Sequence, residues 1–253
     1  MSAPSLSLLT VVKNRVETLP EALASLDAQT RPPEEHVIQD GASGDGTLEF
    51  LLERARRDTS VSLESAPDDG LYPALNRALA RAGGDVVGLL HSDDMLAHPQ
   101  VLETVMAAFA DRNVDAVYGD LHMLGPADAG GARRVCRRWR AGPFREADLR
   151  RGWMPPHPAL FLRRAIIEER GGYDESYRIA GDYEAVLRWF GPGLETVYLP
   201  QVLVLMGTGG ASTGRLRARL AKTGEDWRAI RTHRMGGAAM LACKSLRKIP
   251  QFF

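Results

Sequence analysis

The chain has 253 residues, a quarter of them charged, with 32 Lys and Arg against 32 Asp and Glu and no net charge at neutral pH. That length suffices for one large domain with a substantial core, and the balance excludes a protein whose bulk electrostatics recruit nucleic acid. The two cysteines, Cys136 and Cys243, match no metal or redox spacing, which points to a reduced, cytoplasmic setting without a disulfide framework.

Ser7 to Val12 is a β-rich apolar run, too short and without the preceding basic segment for a signal peptide or a membrane span. Leu19, Leu23 and Leu26 then recur at helical spacing over 17–28, until "QTRPPEE" breaks the pattern. "HVIQ" (36–39) is a second strand, ending in Asp40 and the glycine-rich "DGASGDGT", with a helix over 48–57. A third strand over 61–66, a helix over 71–82 stopped by Gly83 and Gly84, and a fourth strand over 85–90 complete the alternation. Alternating strands and helices predict a parallel sheet with helices on both faces and a ligand site at the carboxyl ends of the strands.

After a helix over 100–110 the regularity loosens. "DAVYGDLHML" and "RRVCRRWRA" flank a glycine-rich loop and read as a hairpin; "HPALFLRRAIIEER" reads as strand then helix. "GDYEAVLRWF" is a helix, and "TVYLPQVLVLM" two short strands around Pro200. From Leu216 to Lys248 helical spacing returns, with Arg215, Arg217, Arg219, Lys222, Arg228, Arg231, Arg234 and Lys244 among apolar positions. Two readings stand: a basic amphipathic helix lying on an anionic membrane, or one packed on the preceding domain with a solvated basic face.

The fourth strand delivers "HSDD" at its end. Two adjacent carboxylates cannot both be buried as anions without a compensating cation; Mg²⁺ or Mn²⁺ held by one or two carboxylates, with phosphate and water completing its shell, supplies one. Alternatively, Ser92 or Asp93 caps a following helix. Asp182, before the helix of "GDYEAVLRWF", presents the same choice between chemistry and cap. Glu17, Asp45 and Asp120 are explained by capping or turn formation.

In order along the chain, "SLLTVVKNRVETLPEALASLDAQT", "IQDGASGDGT", "SAPDDGLYPALNRALARAGGDVVGLLHSDD", "AVYGD", "HPALFLRR", "GGYDESYRIAGDYEAVLRW" and "GGAS" resemble the inverting family 2 glycosyltransferases. The resemblance implies a GT-A fold, a Rossmann-like, mostly parallel α/β sheet with a smaller acceptor-side region. It divides the chain into a catalytic domain over 1–212, with a nucleotide-sugar half (1–122) and an acceptor half (123–212), followed by a basic helical extension over 213–253. It implies that Val11 and Asn14 wrap the nucleotide, that Asp40 faces the base, and that Asp68, with Asn76 on the next helix, contacts the nucleotide. Gly41 and Pro73 stand where relatives often carry aspartate. The resemblance further implies that Asp93 faces the ribose and that Asp94 ligates Mn²⁺ or Mg²⁺. By it, too, His157 would approach the metal or diphosphate, His91 would be positional, and Asp182 would be the general base.

The implied activity moves a sugar from a nucleotide-diphosphate donor to a saccharide or lipid-linked acceptor of a surface polysaccharide or glycolipid, in the cytoplasm or at the inner face of the membrane. Two alternatives stay open. A sugar nucleotidyltransferase would need a glycine-rich phosphate loop after the first strand, where "VVKNRVETLP" has no glycine. A non-catalytic nucleotide- or saccharide-binding protein is kept in play by Gly41, Pro73 and Gly181.

Overall fold

Leu6–Val12 (β1) is buried at all seven positions, as a parallel strand covered on both faces requires. Its side chains alternate between two cores: Leu6, Leu8 and Val12 enter one, Leu9 and Val11 the other. The computed structural model describes residues 3–128, 130–207 and 216–252. "GGAS" (209–212), Arg215 and the expected domain boundary at 212 lie outside them, as do the side chains of 216–219.

The first half alternates as expected: α1 (Leu19–Asp27), β2 (Glu35–Asp40), α2 (Thr47–Arg57), β3 (Val61–Ser65), α3 (Leu71–Arg81) and β4 (Val86–Leu89). β1 pairs in parallel with β2 and β4, and β2 with β3. The register sets Val12 beside Asp40 and Asp40 beside Ser65, so the loops after β1, β2 and β3 emerge along one edge. Thr10 reinforces that edge from inside: its hydroxyl donates to Leu90 O (2.8 Å) and bonds His36 Nε2 (2.9 Å).

β5 (Asp94–Leu96), α4 (Val101–Ala108), β6 (Ala116–Ala127), β7 (Arg133–Trp139), α5 (Glu146–Leu149), β8 (Leu160–Arg163), α6 (Arg164–Arg170), α7 (Gly181–Trp189) and β9 (Thr196–Met206) follow. The sheet runs β3-β2-β1-β4-β8-β6-β9-β5, with β7 beside β6 as the expected hairpin. Antiparallel β8 joins β4 to β6, and β6 then pairs in parallel with β9.

Residues 196–206 form one strand, not two broken at Pro200. Leu199 pairs with Gly119 and Val202 with Asp120, so Pro200 and Gln201 bulge out where the proline's missing N–H is not needed.

The C-terminal segment, continuous in its hydrophobic spacing, folds as two helices, α8 (Leu216–Thr232) and α9 (Ala238–Leu246). Arg234 and Gly236 take positive φ between them, which breaks the helix. Both pack on the domain: Ala229, Ile230 and Met240 are buried in the same core as Tyr183 and Trp189 of α7. His233 Nε2 meets Glu184 of α7 at 2.9 Å.

Burying Ile230 and Met240 contributes about 1.5–3 kcal/mol each. A chain ending at residue 215 should therefore melt roughly 10 °C lower or fail to fold, by scanning fluorimetry. An unchanged melting point would mean that the two helices are only loosely attached.

Candidate active site

The "HSDD" segment is a tight turn from β4 into β5. Asp94 N–H donates to His91 O (3.1 Å), and Asp94 pairs with Met206 as the first residue of β5. A strand follows the carboxylates, so they cap no helix. Gly207 N–H is shared between Asp93 O (3.1 Å) and Asp94 Oδ1 (3.2 Å). A Cβ on Gly207 would overlap that Asp93 oxygen, so only glycine allows the approach.

Asp94 is 2 % exposed. Burial, then the neighbouring Asp93, push its carboxyl well above the usual range. A hard divalent cation with oxygen ligands would relieve both effects, so the donor chemistry fits Mn²⁺ or Mg²⁺. Among the described residues no three His, Cys, Asp or Glu side chains converge as a metal cluster. A cation here depends on oxygens from its ligand and from water.

Asp182 is the second residue of α7, whose N-cap is Ala180, and its carboxylate accepts the backbone N–H of Tyr183. Its N–H donates to Tyr72 Oη (3.2 Å), and a Cβ on Gly181 would meet the Tyr72 ring at 2.7 Å. Glycine at 181 thus brings α7 against α3. Asp182 Oδ1 is enclosed and has no hydrogen-bond partner among the described residues. Burial would raise its pKa, but Lys222, Lys244 and the backbone N–H of Tyr183 pull it below the usual carboxylate range. The result is an ionised oxygen with nothing to accept from.

Glu225 of α8 fixes the approach to that oxygen. Its carboxylate accepts the backbone N–H groups of Arg178 (3.0 Å), Ile179 (2.9 Å) and Ala180 (2.7 Å), the last three residues before α7. Lys244 of α9 lies over the Tyr183 ring, 3.1 Å from its centroid, and pairs with Asp226 at 2.6 Å.

A wall of rings links Asp182 to the turn at β4. His91 stacks on His157 with centroids 6.3 Å apart, His157 Nε2 bonds Tyr173 Oη (2.8 Å), and Tyr173 stacks on Tyr72 at 5.7 Å. Burial depresses both histidines, His157 to about 4, against the opposing pull of Asp182. Both are neutral at physiological pH, so His157 enters the site as a neutral ring.

At the nucleotide edge, Asp40 is fully buried. Its carboxylate accepts from Ser43 N (3.0 Å), Ser43 Oγ (2.5 Å) and Ser65 Oγ (2.6 Å), bracing the loop after β2. Asn14 takes a positive φ of 53°; its N–H donates to Ser43 Oγ (2.8 Å) and its Oδ1 accepts from Gly44 N (2.9 Å). Val11, paired with Gln39, ends near the same loop. Asp68 Oδ2 lies where a Cβ on Gly41 would stand, so the glycine lets that carboxylate close over the end of β2.

Asn76 faces elsewhere. Its Nδ2 donates to Tyr173 O and Glu175 Oε1 (both 2.8 Å), and its Oδ1 accepts from Tyr173 N (2.8 Å). The amide is a clamp between α3 and the 173–175 turn. Asp45 and Asp120 have structural partners: Asp45 accepts from Thr47 Oγ1 (2.6 Å), and Asp120 from Ala141 N (2.9 Å) and Tyr198 Oη (2.8 Å). Sequence reasoning missed Tyr72, Tyr173, Gly207, Glu225 and Lys244. Tyr72 and Tyr173 lay in quoted blocks and Lys244 among the basic residues of the C-terminal segment; Gly207 and Glu225 gave no local signal.

The model of the glycosyl transferase family 2 matches residues 7–169, most of the chain, stopping short of Asp182. The chain belongs to that family. It is 32% identical over 193 residues to an uncharacterized glycosyltransferase of Mycobacterium tuberculosis, covering 74% of this chain and 69% of the relative. It is 31% identical over 209 residues to a PGL/p-HBAD biosynthesis glycosyltransferase of Mycobacterium bovis, covering 80% and 77%. Among solved structures, S. aureus TarS 1–349 superposes with a TM-score of 0.69 at 18% identity, covering 96% of this chain and 71% of that one. The mannosyltransferase PcManGT from Pyrobaculum calidifontis, in complex with GDP-Man and Mn²⁺, gives 0.67 at 18%, covering 99% and 71%. These neighbours establish the GT-A fold.

The neutral His157 makes a pH prediction. Its pKa falls from 6.5 to about 4 on folding, so between those values the unfolded chain binds a proton that the folded one does not. Stability is full above pH 6.5 and declines as pH falls to 4, by on the order of 3 kcal/mol. Urea denaturation of wild type and His157→Gln should show a shallower slope in this window for the variant; parallel slopes would contradict a buried neutral ring.

Proposed function

We propose that this family 2 glycosyltransferase transfers a sugar, with inversion, from a nucleotide-diphosphate donor to a saccharide or lipid-linked acceptor. Asp182 acts as the base and Asp94 as the ligand of Mn²⁺ or Mg²⁺. The observation that carries the reading is Asp182 Oδ1, ionised, enclosed and without a partner. Such an oxygen is ready to accept the proton of an acceptor hydroxyl as that hydroxyl attacks the anomeric carbon from the side opposite the leaving group.

The loops carrying Val11, Asn14, Asp40 and Asp68 hold the nucleotide, with Asp93 toward the ribose. Asn76 is left out because its amide is satisfied within the fold. The neutral His91–His157 wall excludes water between Asp182 and the donor edge. A divalent ion, when bound at Asp94, supplies charge that offsets the leaving diphosphate. Solved neighbours described as bound to UDP-GlcNAc, or to GDP-Man with Mn²⁺, support the donor class and the metal. The relatives in PGL biosynthesis support a glycolipid or related glycan product.

No helix among the described residues is long and apolar enough to cross a membrane. Leu220 and Leu246 are exposed on α8 and α9, as is Trp227, against which Arg231 lies. That combination of apolar and basic groups supports peripheral contact with the cytoplasmic face of a membrane.

Asp182→Asn should lower transfer by about 10²–10⁴-fold while leaving binding of UDP or GDP with Mn²⁺ within twofold. Asp94→Asn should instead weaken Mn²⁺-dependent binding of the nucleoside diphosphate tenfold or more. Steady-state transfer assays and calorimetric titration separate the two; wild-type transfer in both variants would refute the assignment.

A further inference from the structure

Between β7, the 152–154 segment and α9 lies a cavity of about 430 Å³, lined by Arg138, Trp139, Arg140, Trp153, Arg247 and Lys248 among others. Lys244 also reaches it. Two carboxylates answer this charge: Asp226 pairs with Lys244 at 2.6 Å and Asp148 with Arg247 at 3.3 Å. Arg138, Arg140 and Lys248 have no carboxylate partner among the described residues. Burial first, and the crowding of Lys222 second, hold Lys248 below the ordinary lysine range. A concave site with this excess of cations concentrates anions.

The cavity reaches the start of α7: Lys244 on its wall lies over the ring of Tyr183, the residue after Asp182, 3.1 Å from its centroid. Lys244 and Lys248 both feel the charge of Asp182. Trp139 and Trp153 give the cavity apolar ring surface beside the charges, the mixture by which a pocket holds an apolar face and orients a polar group. The C–H face of a sugar ring with an attached anion has this chemistry.

We propose that the cavity is an acceptor subsite for a negatively charged saccharide. A phosphate or carboxylate on the acceptor rests on Arg140 and Lys248 while its hydroxyl is presented to Asp182. The proposal rests on the reading of Asp182 as the base. The anion has two sources, the phosphate of a lipid-linked sugar or the uronic acid of an acidic glycan.

The test titrates the full chain with glucose 1-phosphate, glucuronic acid and glucose by ligand-observed NMR. It uses wild type, Asp94→Asn and the double variant Arg140→Gln/Lys248→Gln. At least one anionic sugar should bind tenfold more tightly than glucose, keep that advantage in Asp94→Asn, and lose it in the double variant. Which anion binds tighter distinguishes the phosphate from the uronic-acid source. The double variant should still bind UDP or GDP with Mn²⁺ as wild type does, which shows that it folds. No advantage over glucose, or an advantage untouched in the double variant, would overturn the proposal. Unimpaired transfer by Asp182→Asn would instead sink the catalytic reading and leave this binding result standing.

Discussion

An enclosed carboxylate oxygen with no hydrogen-bond donor is unfavourable in any fold, since burial penalises the charged form. Asp182 Oδ1 is held in that condition, and much of the surrounding architecture acts to keep it there. Lys222 above all, and Lys244, which burial lowers to about 7, favour its ionised form without donating to its free oxygen. Glu225 ties down the three residues before α7, and Gly181 lets the helix close against Tyr72. Two of these three devices come from α8 and α9. On the proposed reading, the C-terminal helices therefore serve the site as well as the core, whatever their outer face contacts.

Asp94 presents the complementary problem. Asp182 has cations nearby and one oxygen without a donor; Asp94 has a donor, Gly207 N–H, with Asp93 beside it adding repulsion. Environment separates the two carboxylates, one held below the usual range and the other well above it, the difference that the proposed roles of base and metal ligand require. The neutral His91, His157, Tyr173 and Tyr72 rings lie between them, so the intervening wall adds no charge of its own.

The strands and helices of the first half were legible because short β-rich runs alternate with helically spaced apolar residues, with glycine or proline at several of the breaks. Pro200 misled because local sequence shows that proline cannot pair but not that a bulge will absorb it. Around the site, sequence could single out Asp94 and Asp182 but not their surroundings. Glu225 and Lys244 are ordinary charges on a helix until α8 and α9 dock on α7. Nor does residue type reveal what a side chain is already bonded to: Asn76 stood in the right block, yet the 173–175 turn occupies its amide. Gly41 was an absent carboxylate in sequence; in space it is room for the carboxylate of Asp68.

The claim that one carboxylate drives a single displacement is tested most directly by the stereochemistry of the product. ¹H NMR of the transferred sugar, formed from whichever nucleotide sugar the protein accepts, reads the anomeric configuration from its coupling constant. A product of configuration opposite to the donor's is the outcome required if Asp182 takes the hydroxyl proton during direct attack. Retention of the donor's configuration would demand a second displacement or another face of attack, and would contradict the account.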